Sequence, residues 1–338
     1  MNWRQRTTRT RLDNGRARRS ARAESQKQTK RTKDFVSFVH FCSVSGARGA
    51  TRPTSLIREM AFRLVFSLLS FAVVSSLAAE TTTATDWIEP MKQVHSKFSG
   101  TPGTFAQFGD SITFSMAFWA PLAWEPENMA ADARRAHAQV KSFMKPECWR
   151  EWRGPEFGNE GTMTIRWADQ NVDKWLTKLN PEVAVIMFGS NDVGQMEADE
   201  HERKTRAVVQ RCLKNGTVVL LTTASPRSGR LEKSKQFAEA VRKIAREEKV
   251  PLIDYCGEIL KRRADDWDGS LAQFKAVPGD TYEVPTLIAR DGVHPSNTKQ
   301  YGNDFSDAGL SRNGFTLRNY LTLMAYSEVI EKVLQPGK

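Results

Sequence analysis

Four short apolar runs, spaced by stretches with a helical period, constrain this chain more than any other feature of its sequence. Residues 104–108, 183–188, 217–222 and 250–254 each have the length of a strand. The run 183–188 is almost continuously apolar, as expected of a strand covered on both faces. Between the runs the period changes. Residues 164–179 place Ile165, Ala168, Val172, Trp175, Leu176 and Leu179 at helical spacing. Residues 197–213 read as a charged helix closed by Asn215-Gly216, and 231–248 align Phe237, Ala240, Val241 and Ile244 on one face. Shorter helices are expected around 87–98 and 258–263, and an amphipathic one over 316–334. Strands that alternate with helices predict an α/β fold: a three-layer sandwich with a central parallel sheet, flanked by helices and joined by right-handed crossovers.

The 338 residues, 40% of them hydrophobic, suffice for a sizeable core. A net charge of +11 suggests a nucleic-acid binder until it is located. Residues 1–59 hold 15 Lys/Arg against 4 Asp/Glu, which leaves 35 of each for the remainder. The body is neutral, so no nucleic-acid partner is expected. Met60-Ala61-Phe62-Arg63 opens an apolar run over 64–77 that ends in small residues, the pattern of a signal peptide over 60–79. The run is short and Ser-rich for a spanning helix, so no stable membrane span is expected after signal cleavage, an uncleaved anchor being the alternative. A signal sequence belongs at an N-terminus, so residues 1–59 read as a mis-called extension from a true start at Met60. A basic disordered arm is the alternative. Residues 80–103 read as a linker and 104–338 as one domain. Outside the leader stand Cys148, Cys212 and Cys256, an odd number without CxxC spacing, so this is no disulfide scaffold.

Three stretches carry chemistry. The first strand ends in Gly109-Asp110-Ser111, where a helix from 111 to 118 would begin. A hydroxyl there sits at the carboxyl edge of the sheet, beside free N–H groups. Such a serine is a nucleophile if a base and an oxyanion site are near, and otherwise Asp and Ser are ordinary caps. Gly189-Ser190-Asn191-Asp192 follows the run 183–188, and Asn191 is either an amide donor or a turn residue. Asp291-Gly292-Val293-His294 offers a base and a carboxylate three residues apart in one loop. Asp199-Glu200-His201-Glu202 is not read as a metal site, because adjacent residues on a helix diverge and acids favour a helix start. Residues 119–160 form an irregular insertion around one helix and contain Trp119, Trp124, Trp149 and Trp152. Trp149 and Trp152 are candidate substrate-stacking residues or buried packing. Arg227, in the loop 224–230, is either an anion contact or solvated.

Taken together and in this order, the three motifs resemble the SGNH hydrolases, the GDSL-type esterases, of the secreted bacterial kind. The resemblance runs from about Phe105 to the last helix and implies that fold, flavodoxin-like in its layers. It implies Ser111 as nucleophile, His294 as base and Asp291 as its orienting carboxylate. It also implies an oxyanion hole made of the Ser111 N–H, a glycine N–H and the Asn191 side chain. Gly161 fits the glycine, with Gly158 as the second candidate. No metal or organic cofactor is implied. The implied activity is a secreted or periplasmic serine esterase acting through an acyl-enzyme, with acetyl or short acyl groups on carbohydrates as leading substrates. The alternatives are a lysophospholipase or lipid esterase, and a non-catalytic glycan-binding module on the same scaffold. Oligomeric state stays open. The chain departs from the family in two places: 148–157 is a poor second strand with Pro155 inside it, and 297–313 is a long polar link to the last helix.

Overall fold

The structure, a computed structural model, describes residues 86–153 and 163–336. The leader, the signal-like run and residues 80–85 of the linker lie outside them, as do Gly158 and Gly161. Four parallel strands form one sheet in the order β1-β2-β3-β4: β1 Phe105–Gly109, β2 Val183–Met187, β3 Val218–Thr222 and β4 Leu252–Ile253. Every residue of β1, β2 and β3 is buried, which is why these runs are apolar without alternation. β4 is only two residues long and follows Pro251, which has no N–H for a ladder.

Each strand pairs with its predecessor, so crossovers of one hand stack their helices on one face. Those helices are α4 (Ile165–Leu179), α5 (Ala198–Lys214) and α6 (Leu231–Glu247), packed side by side. On the other face lie α1 (Ile88–His95), α3 (Ala131–Phe143) and the last helix, α9 (Gly314–Val329), which continues into a π-helical turn, Ile330–Leu334. The helix α9 is buried nearly all round, including polar Arg318, Asn319 and Thr322. Two smaller helices, α7 (Tyr255–Arg262) and α8 (Asp307–Arg312), complete this side. α7 begins three residues earlier than the sequence suggests, because the Asp254 carboxylate accepts from the Gly257 N–H and caps it there.

The helix after Ser111 is a single turn, α2 (Ser111–Phe114), instead of the expected run to residue 118. Ser115 leaves the helical region at ψ 135°, and side chains from elsewhere take up the carbonyls beyond it. The expected second strand is not formed among the described residues. Residues Pro146–Trp149 make a 3-10 turn, and in place of a ladder β1 meets the segment at two residues: the Trp152 carbonyl accepts from the Gln107 N–H at 3.2 Å, and Cys148 accepts from the Phe105 N–H at Sγ and from Gln107 Nε2 at its carbonyl. Cys148, Cys212 and Cys256 are buried thiols, consistent with small hydrophobes.

The insertion covers β1 with aromatic rings. Trp119 is fully buried, 4.7 Å from the Phe105 ring and 5.1 Å from that of Trp149 (centroid to centroid). Replacing Trp119 by Ala empties this layer and should cost about 3–5 kcal/mol of stability. Urea unfolding followed by the remaining tryptophans reads it; an unchanged midpoint would show that the insertion is only loosely attached.

Candidate active site

The site is built where β1 and β2 end. Gly109 pairs with Met187, so Ser111 and Asn191 leave the sheet at the same edge. Gly109 is required by close approach: a Cβ there would lie 2.5 Å from the Met187 carbonyl oxygen and closer still to the Thr113 hydroxyl. Asp110 caps α2 by accepting the Ile112 N–H at 3.0 Å, which fixes the turn that presents Ser111. Asp110 is fully buried, and burial pushes its carboxyl up to about 7 despite that bond and the nearby charge of Arg318.

The Ser111 hydroxyl lies 3.0 Å from His294 Nε2, and His294 Nδ1 lies 2.7 Å from Asp291 Oδ2. With Nδ1–H donated to the carboxylate, Nε2 presents its lone pair to the hydroxyl. Asp291 also accepts the Val293 and His294 N–H groups, at 2.9 and 3.0 Å, so carboxylate and imidazole belong to one tight turn. Gly292 makes that turn at φ +69°, packed against Ser228. The hydrogen bond to Asp291 raises His294 above the usual imidazole value of 6.5. Burial acts to raise Asp291, but bonds from His294 and two backbone N–H groups outweigh it and hold the carboxyl below its ordinary value.

Asn191 donates from Nδ2 to the Met163 carbonyl at 3.0 Å. Its neighbour Asp192 is fully buried and accepts the Ile165 N–H at 2.8 Å. That bond caps α4, whose own Thr164 makes no capping bond, and ties the Asn191 loop to the start of α4. His201 lies buried behind, with Nδ1 3.6 Å from Asp192 Oδ1. Its neighbours diverge as helical geometry requires: Glu200 pairs with Arg166, and Glu202 with Arg206 and Lys243.

Other sequence candidates fall differently. Trp149 is 5% exposed between Trp119 and His137, a core residue with no open face for a substrate. Trp152 is half-buried at φ +61° and packs against the core. Arg227 is neither solvated nor idle: Nη1 donates to the Ser190 carbonyl at 2.8 Å, next to Asn191.

The sequence reading missed the residues that hold the Ser111 turn. Arg318, fully buried on α9, donates to the Ile112 carbonyl at 3.0 Å and the Thr113 hydroxyl at 2.8 Å, and covers the Phe118 ring at 3.6 Å. Arg153 donates to the Ser115 and Phe118 carbonyls at 3.0 and 2.8 Å. Asn319 accepts the Trp119 N–H and donates to the Ala117 carbonyl. Burial lowers both guanidinium groups to about 10. The only sequence signal was an Arg-Asn pair inside an otherwise apolar helix.

A profile of the GDSL-like lipase/acylhydrolase family matches residues 108–298. The chain belongs to that family. The match contains Ser111, Asn191, Asp291 and His294, and membership makes the protein an ester-hydrolysing enzyme. Solved structures similar to this GDSL-family chain include the acetyl xylan esterase AlAXEase, at 21% identity and TM-score 0.41, covering 61% of this chain and 96% of that one. The psychrotrophic esterase EstA from a Pseudoalteromonas species is 13% identical at TM-score 0.42, covering 68% and 98%. A putative acylhydrolase from Bacteroides fragilis is 15% identical at TM-score 0.41, covering 75% and 100%. A comparison with curated protein sequences finds no match.

Two pH dependences follow. A protonated imidazole cannot accept the Ser111 proton, so kcat/KM should fall on the acid side with an apparent pKa above 6.5, and Asp291→Asn should move that limb downward. An acid limb unmoved in Asp291→Asn would detach it from this pair. Asp110 favours its protonated form when folded, so its contribution to stability is full below 3.8 and is lost as pH rises to about 7. Asp110→Asn keeps a capping oxygen and should flatten that part of the urea-midpoint profile between pH 4 and 7. An unchanged slope would show that Asp110 is ionised throughout.

Proposed function

We propose that the protein is a secreted serine esterase that works through an acyl-enzyme. The observation that carries the reading is the hydrogen-bonded series Ser111 Oγ, His294 Nε2, His294 Nδ1, Asp291 Oδ2, at 3.0 and 2.7 Å, on the carboxyl edge of the sheet. His294 takes the Ser111 proton as Oγ attacks the ester carbonyl carbon. The tetrahedral oxyanion is met by the Ser111 N–H at the start of α2, by one N–H of the Asn191 amide and by the N–H of Gly161. Nδ2 carries two hydrogens, so the bond to Met163 orients the amide and leaves one for substrate. Collapse breaks the ester C–O bond, and His294 returns the proton to the leaving alkoxide. Water, deprotonated by His294, then releases the acid and restores Ser111.

Acetyl or other short acyl groups on carbohydrates are the proposed substrates. The support is an aromatic rim beside the base and nucleophile: Tyr282 and Phe114 are 40% and 42% exposed, and ring faces of this kind stack on sugar C–H surfaces. Export rests on the signal-like run 60–79.

Ser111→Ala and His294→Ala should each remove nearly all hydrolysis of p-nitrophenyl acetate, and the double variant should be hardly worse than either. Asn191→Ala should lower kcat by roughly 10²–10³ with little change in KM. A fluorophosphonate probe should label Ser111. Wild-type turnover in folded Ser111→Ala would place the nucleophile elsewhere. N-terminal sequencing of the native protein should find a start near Glu80; recovery of peptides from 1–59 at full abundance would reject the short, exported form.

A further inference from the structure

The loop ahead of the Asp291–His294 turn is tied down far more firmly than an exposed connection needs to be. Arg290, the residue before Asp291, donates to the carbonyls of Val277, Gly279 and Asp280. Its own N–H donates to the Thr281 carbonyl at 3.0 Å. Asp280 accepts the N–H groups of Tyr282 and Glu283 at 2.8 and 3.1 Å, and the Tyr282 carbonyl accepts the Asn297 N–H at 2.9 Å. The anchors therefore lie one residue before Asp291 and three after His294, so the loop moves with the base.

What this frame holds up is one aromatic side chain. The Tyr282 ring is 40% exposed, with its centroid 6.0 Å from that of the His294 imidazole and its plane at 74° to it. Large side chains left in solvent beside a catalytic imidazole need a reason, and a rigid ring can bind at little cost in conformational entropy.

The chemistry says which half of the substrate this ring meets. His294 Nε2 must hand its proton to the leaving oxygen, so the alcohol of the ester lies against the imidazole. The oxyanion points the other way, toward Asn191. We infer that Tyr282 is a specificity-determining residue for the alcohol half of the ester, stacking on the ring of a carbohydrate leaving group, and that the Arg290-anchored loop exists to hold it there. This rests on the Ser111–His294 reading above. Once the acyl-enzyme has formed the alcohol has gone, so Tyr282 acts on acylation and is absent from deacylation.

That separation gives the test. Tyr282→Ala and Tyr282→Phe are assayed with three acetate esters that share one acyl-enzyme: ethyl acetate, p-nitrophenyl acetate and glucose pentaacetate. Tyr282→Ala should lower kcat/KM for glucose pentaacetate roughly three- to tenfold, the size of a lost aromatic contact. Ethyl acetate should change less than about twofold, and the rate of deacylation after a p-nitrophenyl acetate burst should stay at the wild-type value. Tyr282→Phe keeps the ring and should behave as wild type. An equal loss on ethyl acetate and glucose pentaacetate, or slowed deacylation, would overturn the inference and make Tyr282 a support for His294. So would a flat response to all three esters, or a Tyr282→Phe loss equal to that of Tyr282→Ala. Ser111→Ala, run alongside, separates the two readings: if it stays active the mechanism itself fails, whatever Tyr282 does.

Discussion

Arg318 is a cation in the core with no carboxylate within hydrogen-bonding distance among the described residues, and the position of Ser111 depends on it. Taking a guanidinium out of water costs several kcal/mol, which is offset only where its donors find good acceptors. Here Nη1 and Nη2 find the Ile112 carbonyl and the Thr113 hydroxyl, both in the single turn that starts at Ser111, while Nε is left without a partner among the described residues. A one-turn helix cannot sustain itself, because nucleation fixes several residues for a single bond. Arg318 on α9 bonds the turn itself, and Arg153 and Asn319 bond the segment 115–119 that follows it, so the turn is held by the tertiary structure instead of by its own ladder. The buried Asp110 carboxyl stands on the other side of the same turn. Its nearness to Arg318 gives each group some of the counter-charge that burial denies it.

This arrangement explains what was legible in the sequence. Strands β1, β2 and β3 and helices α4, α5 and α6 declare themselves through local periodicity, since each buries a fixed face or both faces. Asp291 and His294 are equally plain, because three residues of spacing in one turn bring their side chains together whatever surrounds them. The length of α2 is not local. It is set by side chains about 40 and 200 residues away, and no window around Ser111 contains them. Trp149 misleads for a related reason. An irregular, Pro-rich stretch looks like a cleft wall, yet it lies on the uncovered face of β1 and must bury its rings there. Tyr282 escaped notice because its loop has no period at all. The long-range bonds that tie it down come from Arg290 and Asn297, which lie ten or more residues on in sequence from the carbonyls they bond.

The site has a further dependence that joins its two halves. Arg227 and Ser228 are neighbours in the loop after β3, and each holds a different site loop. Arg227 Nη1 bonds the Ser190 carbonyl, and the Ser228 N–H donates to the Gly292 carbonyl at 2.8 Å. Gly292 is the pivot of the Asp291–His294 turn, and Ser190 is the residue before Asn191. One short segment therefore ties the His294 turn to the Asn191 loop. Misplacement of reacting groups by about 1 Å can cost 10²-fold in rate, so a shared anchor is worth more to the reaction than either bond is to stability. The parallel sheet makes this possible. Strands β2 and β3 end side by side, so the loop after β3 reaches Ser190 in the loop after β2, and the Gly292 turn, from the long connection between α7 and α8, closes on the neighbouring Ser228. The Arg227 cation also lies close enough to His294 to oppose, in part, the rise that Asp291 imposes on it. The residue that holds the Asn191 loop thus also acts on the His294 imidazole.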